Sequence, residues 1–201
     1  DVVAIMDWDT HRYLEAFFAV PMLGSTLHTV NIRLSPSQIA YTIDHAEDDV
    51  ILFHADFIPL LEEVMLEVKR DARLIVMRDS ADIELPQTTL KIEAIFDELF
   101  INTDQYFSFP DFDENTRATT FYTTGTTGNP KAVAYSHRQL VLHTMGILAT
   151  FGPMSANNRF HNRDVYMPIT PMFHVHGWGF PYAATMLGLK QIYPNRYVPS
   201  R

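Results

Sequence analysis

Three short runs, Val2–Met6, Val50–Phe53 and Leu74–Met77, are apolar at every position. A strand with one wet face alternates between apolar and polar residues. One that is apolar throughout must be covered on both faces, as buried parallel strands are. The segments between these runs have helical spacing. Thr10–Val20 carries Tyr13, Leu14, Phe17 and Phe18 on one side. Ser35-Pro-Ser-Gln38 is a capping box with proline at the first helical position, predicting a helix from Pro36 to about His45. Phe57, Leu60, Leu61, Val64, Met65 and Val68 fit the amphipathic template, and Ile92, Ile95, Phe96 and Leu99 repeat it. Such a βαβαβα series predicts an α/β fold, a three-layer parallel sheet with helices on both faces. This lobe is expected over residues 1–105, followed by an acidic, proline-containing linker over 106–117 and part of a second α/β lobe over 118–201.

The second half opens on Phe121-Tyr-Thr-Thr-Gly-Thr-Thr-Gly-Asn-Pro-Lys131. Thr123 to Lys131 holds four threonines, two glycines and one lysine. Glycines permit positive φ and let successive N–H groups converge, threonine hydroxyls add donors, and Lys131 adds one mobile charge. Phosphate is the natural guest. The order Gly125-x-x-Gly128-x-x-Lys131 is not that of a Walker A loop, which needs Gly-Lys-Ser/Thr opening a helix. Both flanks are rich in β-branched and aromatic residues, so the loop is expected to join two strands as a hairpin. A strongly apolar helix over His137–Phe151, expected to be buried on most sides, comes next. Strand Asp164–Ile169, a helix from about Val175 to Leu187 and a strand near Lys190–Tyr193 complete the pattern.

Tyr122-Thr-Thr-Gly-Thr-Thr-Gly-Asn-Pro-Lys131, with Ser136-His137 after it, resembles the signature of the adenylate-forming superfamily, which includes acyl-CoA synthetases, luciferases and peptide-synthetase adenylation domains. Met167-Pro-Ile-Thr-Pro-Met-Phe-His-Val-His-Gly-Trp-Gly-Phe-Pro181 resembles the family's next motif, and Phe17–Ser35 an upstream one ending in Asn31-Ile-Arg33. The likeness covers essentially the whole chain and is strongest to fatty acyl-CoA synthetases, whose amino-terminal domain this chain resembles in part. It implies an ATP-dependent acid–thiol ligase that forms acyl-AMP and pyrophosphate before coenzyme A displaces AMP. Thr123, Thr124, Gly125, Thr126, Thr127, Gly128 and Lys131 would hold the β- and γ-phosphates, and Thr123 would ligate Mg²⁺. Lys131 and His174 are the expected catalytic residues; His174, Val175, Gly177 and Trp178 are expected at the acyl substrate, with Trp178 a wall or gate. Ala132 stands where the family usually has glycine. Motifs for adenine, ribose, the Mg²⁺-binding glutamate and the adenylation lysine are not in the chain, so by itself it is expected to lack ligase activity.

Substrate class is legible near His174. Amino-acid-activating relatives place an aspartate just after the phenylalanine to hold the substrate ammonium; here Phe173 is followed by His174-Val-His176. An unpaired, desolvated ammonium costs several kcal/mol, so an apolar carboxylic acid fits better. Two histidines two residues apart face different ways on a helix, which argues against a metal pair. An aryl- or short-chain-acyl-CoA ligase or a luciferase-like enzyme would use the same loop, and a non-catalytic nucleotide-binding scaffold is a rival of another class.

The remaining properties exclude other classes. A formal charge of −9 disfavours nucleic acid as a partner. No cysteine is present, so there is no disulfide, thiolate site or cysteine nucleophile. No apolar run approaches the roughly 20 residues needed to span a bilayer, and the first residues do not form a signal peptide. A cytoplasmic protein is therefore expected, with fatty acid, ATP and CoA as partners. Homodimerisation and transient contact with a membrane surface stay open. The abrupt ends read as those of a piece of a longer protein.

Overall fold

The computed structural model describes all residues except 102, 104–105, 125–127, 155–158 and 197–201. Strands β1 (Val2–Met6), β2 (Thr26–Thr29), β3 (Val50–His54), β4 (Arg73–Met77) and β5 (Ile92–Ile95) alternate with helices α1 (His11–Met22), α2 (Pro36–Ala46) and α3 (Ile58–Met65). They are followed by hairpin strands β6 (Arg117–Thr123) and β7 (Lys131–Ser136), then helix α4 (His137–Phe151). β8 (Val165–Tyr166), α5 (Phe180–Met186) and β9 (Lys190–Gln191) come last. The main sheet has the order β5-β4-β3-β1-β2-β6-β7. All neighbours are parallel except the antiparallel pair β6–β7.

The apolar runs are covered on both faces, as their composition requires. Ala4, Met6, Ile51, Phe53, Leu74 and Val76 point toward α2 and α3, packing on Ile39, Ile43, Ile58, Leu61 and Val64. Ile5, Leu52, Ile75 and Met77 point the other way, onto Tyr13, Phe17 and Val20 of α1 and Tyr182 of α5. The expected capping box forms: Ser35 Oγ accepts from the Gln38 N–H while the Gln38 side chain returns to the Ser35 N–H. Strand β6 pairs directly with β2, so the hairpin extends the same sheet as the amino-terminal strands.

Four expectations are corrected. Ile92–Leu99 is not a helix; Ile92–Ile95 forms edge strand β5 and Phe96–Phe100 a 3₁₀ turn. Four residues fit either period, and the open edge of β4 supplies a backbone ladder reinforced by Arg73 on Glu93 at 2.7 Å. Helix α4 buries only Thr144 and Ile147, leaving Val141, Leu142 and Met145 more than half exposed. Its apolar residues spread around the cylinder, but among the described residues only one side meets α5 and the turn before it. The Asp164–Ile169 and Lys190–Tyr193 strands shrink to β8 and β9, which pair only with each other. The Val175–Leu187 helix begins only at Phe180. β2 has no strand signal of its own, because Thr26-Leu-His-Thr29, buried throughout, looks half polar in sequence.

Leu61 is fully buried where α3 meets the sheet. Leu61→Ala is expected to cost about 2–5 kcal/mol, through lost burial and the cavity left behind. Chemical denaturation measures it; a loss under 1 kcal/mol would show that this contact is not core.

Candidate functional site

A parallel sheet sends all its carboxy-terminal strand ends to one edge, and ligands of open α/β sheets bind there. Two segments singled out in the sequence reach that edge. One is the β6–β7 turn. Thr123 and Lys131 close it as partners across the ladder, with Thr123 Oγ1 3.5 Å from the Lys131 carbonyl. Thr123, Thr124, Gly128 and Lys131 are all exposed, and Lys131 has no ion-pair partner among the described residues. Gly128 sits at φ +96 with nothing within 4 Å of the place a Cβ would take, so its backbone is open to a guest. Gly125, Thr126 and Thr127 lie outside the described residues. Ala132 is not among the residues with positive φ; it sits within β7 opposite Tyr122, so replacing glycine there introduces no strain.

The other segment is Met172–Gly179. Its approach is fixed by residues far away in sequence: the Met172 N–H donates to Asp9 Oδ1 at 2.7 Å, and Thr29 Oγ1 donates to the Phe173 carbonyl at 3.2 Å. Next comes the most unusual backbone among the described residues. Val175, His176, Gly177, Trp178 and Gly179 all have positive φ, between 48° and 75°. They make a left-handed turn where a right-handed helix was expected. For non-glycine residues such a conformation costs roughly 1–2 kcal/mol each, and Val175, His176 and Trp178 are three of them. The turn is held by Gly177 N–H on the His174 carbonyl at 3.0 Å and by His143, whose Nε2 donates to the Trp178 carbonyl at 3.2 Å. Gly179 is at φ +75, and a Cβ there would lie 2.6 Å from the His143 ring, so any other residue would be strained and would displace that ring.

The reversed hand sorts the side chains. His174 and Trp178 point outward, with ring centroids 6.2 Å apart, and Trp178 is 55% exposed. It is not a core tryptophan. His176 goes inward and is only 2% exposed, ringed by Phe17, Phe121 and Tyr135 at centroid distances of 5.7, 5.1 and 6.0 Å. It therefore ties the turn to α1 and to both hairpin strands. Burial pushes its pKa down to about 3, leaving it neutral at physiological pH. Among the described residues no group of three or more His, Cys, Asp and Glu side chains is placed to hold a metal.

Another part of the edge is acidic and disfavours phosphate. The strand order reverses between β1 and β3, and that crevice carries Asp7, Asp56 and Asp79 around His54. An apolar groove of about 360 Å³ between α1, α4 and α5 is lined by Phe17, Phe18, Leu140, Val141, Tyr182 and Met186; neither His174 nor Trp178 lines it. Asp9 and His143 lie outside the sequence motifs and Thr29 inside the upstream one, and only the fold reveals that they position Met172–Gly179.

Because the folded pKa of His176 lies below the unfolded value near 6.5, its neutral form favours the native state above that pH. The contribution is lost as pH falls from about 6.5 toward 3. The stability difference between wild type and His176→Leu, measured by denaturation across this range, is expected to shift toward the variant as pH falls. Asp7, raised to about 6 by burial, titrates in the opposite sense but is common to both proteins and cancels. A pH-independent difference would place His176 in solvent.

The sequence matches the family model for AMP-binding enzymes over residues 1–201. It is 42% identical over 201 residues to the 3-methylmercaptopropionyl-CoA ligase of Ruegeria pomeroyi, covering 96% of this chain and 34% of that protein. It is likewise 42% identical over 195 residues to a long-chain-fatty-acid–CoA ligase of Thermus thermophilus, covering 97% and 33%. The chain thus spans about a third of the length of these relatives. A red-emitting luciferase from Phrixothrix hirtus superposes with a TM-score of 0.77 at 21% identity, covering 95% of this chain and 35% of that one. Among the described residues no helix is long and apolar enough to cross a membrane. The chain belongs to the AMP-binding, adenylate-forming enzyme family.

Proposed function

We propose that the protein containing this chain is an ATP-dependent carboxylate–CoA ligase acting on a medium- or long-chain fatty acid. The observation that carries the reading is the convergence of the Thr/Gly hairpin and the His174–Trp178 turn at one sheet edge around His176. One supplies exposed phosphate donors, the other an aromatic wall with no carboxylate. The substrate carboxylate attacks the α-phosphate of ATP, releasing pyrophosphate and leaving acyl-AMP; the coenzyme A thiolate then displaces AMP.

The hairpin's part is positioning and charge neutralisation. Lys131 neutralises the phosphate tail, and Thr123, Thr124 and Gly128 donate to it, together with Gly125, Thr126 and Thr127. The exposed Thr123 hydroxyl would give Mg²⁺, an oxygen-seeking cation, one ligand, and the ion would help neutralise the phosphate charge. His174 is positioned between nucleotide and acyl group, and Val175, Gly177 and Trp178 face the acyl chain. Two similar relatives, one named for a short thioether acid and one for long-chain fatty acids, favour a shorter acid as the second reading. A panel of carboxylic acids in a pyrophosphate-release assay separates the two. If no acid stimulates release, the ligase reading fails and a nucleotide-binding scaffold is left.

Lys131→Ala removes a charged hydrogen-bond donor worth roughly 1.5–3 kcal/mol. ATP–pyrophosphate exchange in the full-length protein is expected to fall by about one to two orders of magnitude with the fold intact; an unchanged rate would put the phosphates elsewhere. Trp178→Ala is expected to change chain-length preference or the fatty-acid KM more than the ATP KM. Because the ring is 55% exposed, its removal should leave stability nearly unaltered. A large drop in melting temperature with unaltered fatty-acid kinetics would return Trp178 to the core.

A further inference from the structure

Strand β2 stops pairing with β6 at Thr29 opposite Phe121. Beyond that point Tyr122 and Thr123 have a ladder partner on one side only, β7, and Thr123 leads into the loop. What holds the free side is a side-chain bond. Tyr122 Oη lies 2.8 Å from Nδ1 of His45, in the last turn of α2. The Tyr122 ring also rests 5.1 Å from that of His28 on β2. His28 Nδ1 is in turn 2.7 Å from Asp48 Oδ2, with both side chains essentially inaccessible. His45 and Asp48 flank Glu47, the left-handed residue that ends α2, so the two contacts issue from one sharp corner.

We propose that Tyr122 is a positioning residue for nucleotide binding: the His45–Tyr122 bond, wedged by the His28–Asp48 pair, fixes the end of β6 so that Thr123 and Lys131 face one guest. This rests on the reading of the hairpin as the phosphate site. A phenylalanine would fill the same space, but only the hydroxyl gives a directional bond. Burial raises the tyrosine pKa, so the hydroxyl keeps its proton at neutral pH. It donates to a neutral His45, and its oxygen accepts from a protonated one. The brace does not depend on the charge of His45.

The test uses the full-length protein and compares Tyr122→Phe, His45→Ala, the double variant and His45→Asn, whose amide reaches the place of Nδ1. Tyr122→Phe and His45→Ala should each raise the ATP KM about 5- to 10-fold, the worth of one hydrogen bond. The carboxylate KM should stay unaltered and the melting temperature should fall by no more than a few degrees, the double variant should be no worse than either single one, and His45→Asn should recover most of the loss. A fall in melting temperature with the ATP KM unaltered would make the bond merely structural and overturn the proposal. Lys131→Ala, run alongside, separates the two failures. If it impairs ATP use while Tyr122→Phe and His45→Ala do not, the brace is wrong and the phosphate site stands. If it too has no effect, the phosphate-site reading falls and the brace with it.

Discussion

A neutral imidazole in an aromatic cage holds the two halves of the candidate site together. His176 touches Phe17 of α1, Phe121 of β6 and Tyr135 of β7, and among the described residues no charged partner competes for it. Without that inward anchor a left-handed turn through Val175, His176 and Trp178 would have no reason to persist, since each such residue prefers the opposite hand. With it, His174 and Trp178 are turned outward beside the hairpin. Strain of this kind survives only where the surroundings over-determine the backbone. Here His143, Asp9 and Thr29 do so from three separate elements.

The sheet sets the scene on which this anchor acts. Because β6 runs parallel to β2, the hairpin turn emerges at the same edge as the ends of β1, β3 and β4. The generic ligand crevice at the strand-order reversal is acidic and partly occupied by Asn195, whose amide donates to Asp79 at 3.0 Å. That crevice repels a polyanion, whereas the exposed Lys131, with no ion-pair partner among the described residues, is the cation we propose for the phosphates.

Much of this was legible in the sequence because the signals are local. All-apolar runs give buried parallel strands, Ser35 and Gln38 give a helix start, and the Thr/Gly loop between β-rich flanks gives a hairpin. Long-range partners decide the rest. Ile92–Ile95 became a strand because β4 offered an unpaired edge, which no window of residues reveals. Val175–Gly179 reversed hand because His176 found a cage built from residues 17, 121 and 135. The positioning residues Asp9 and His143 carry no motif, and Thr29 and Tyr122 lie inside motifs that do not reveal what their hydroxyls bond. Trp178, expected from the sequence as a wall or gate, is placed outside the core by its exposure.

The most direct test is a crystal structure of the full-length protein with ATP and Mg²⁺. The account predicts β- and γ-phosphate density within hydrogen-bond distance of Lys131 Nζ and the hydroxyls of Thr123 and Thr124, with the left-handed Val175–Gly179 turn beside the nucleotide. Phosphates seated instead in the crevice near Asp7 and His54, or a right-handed helix through His176 with its ring in solvent, would contradict it.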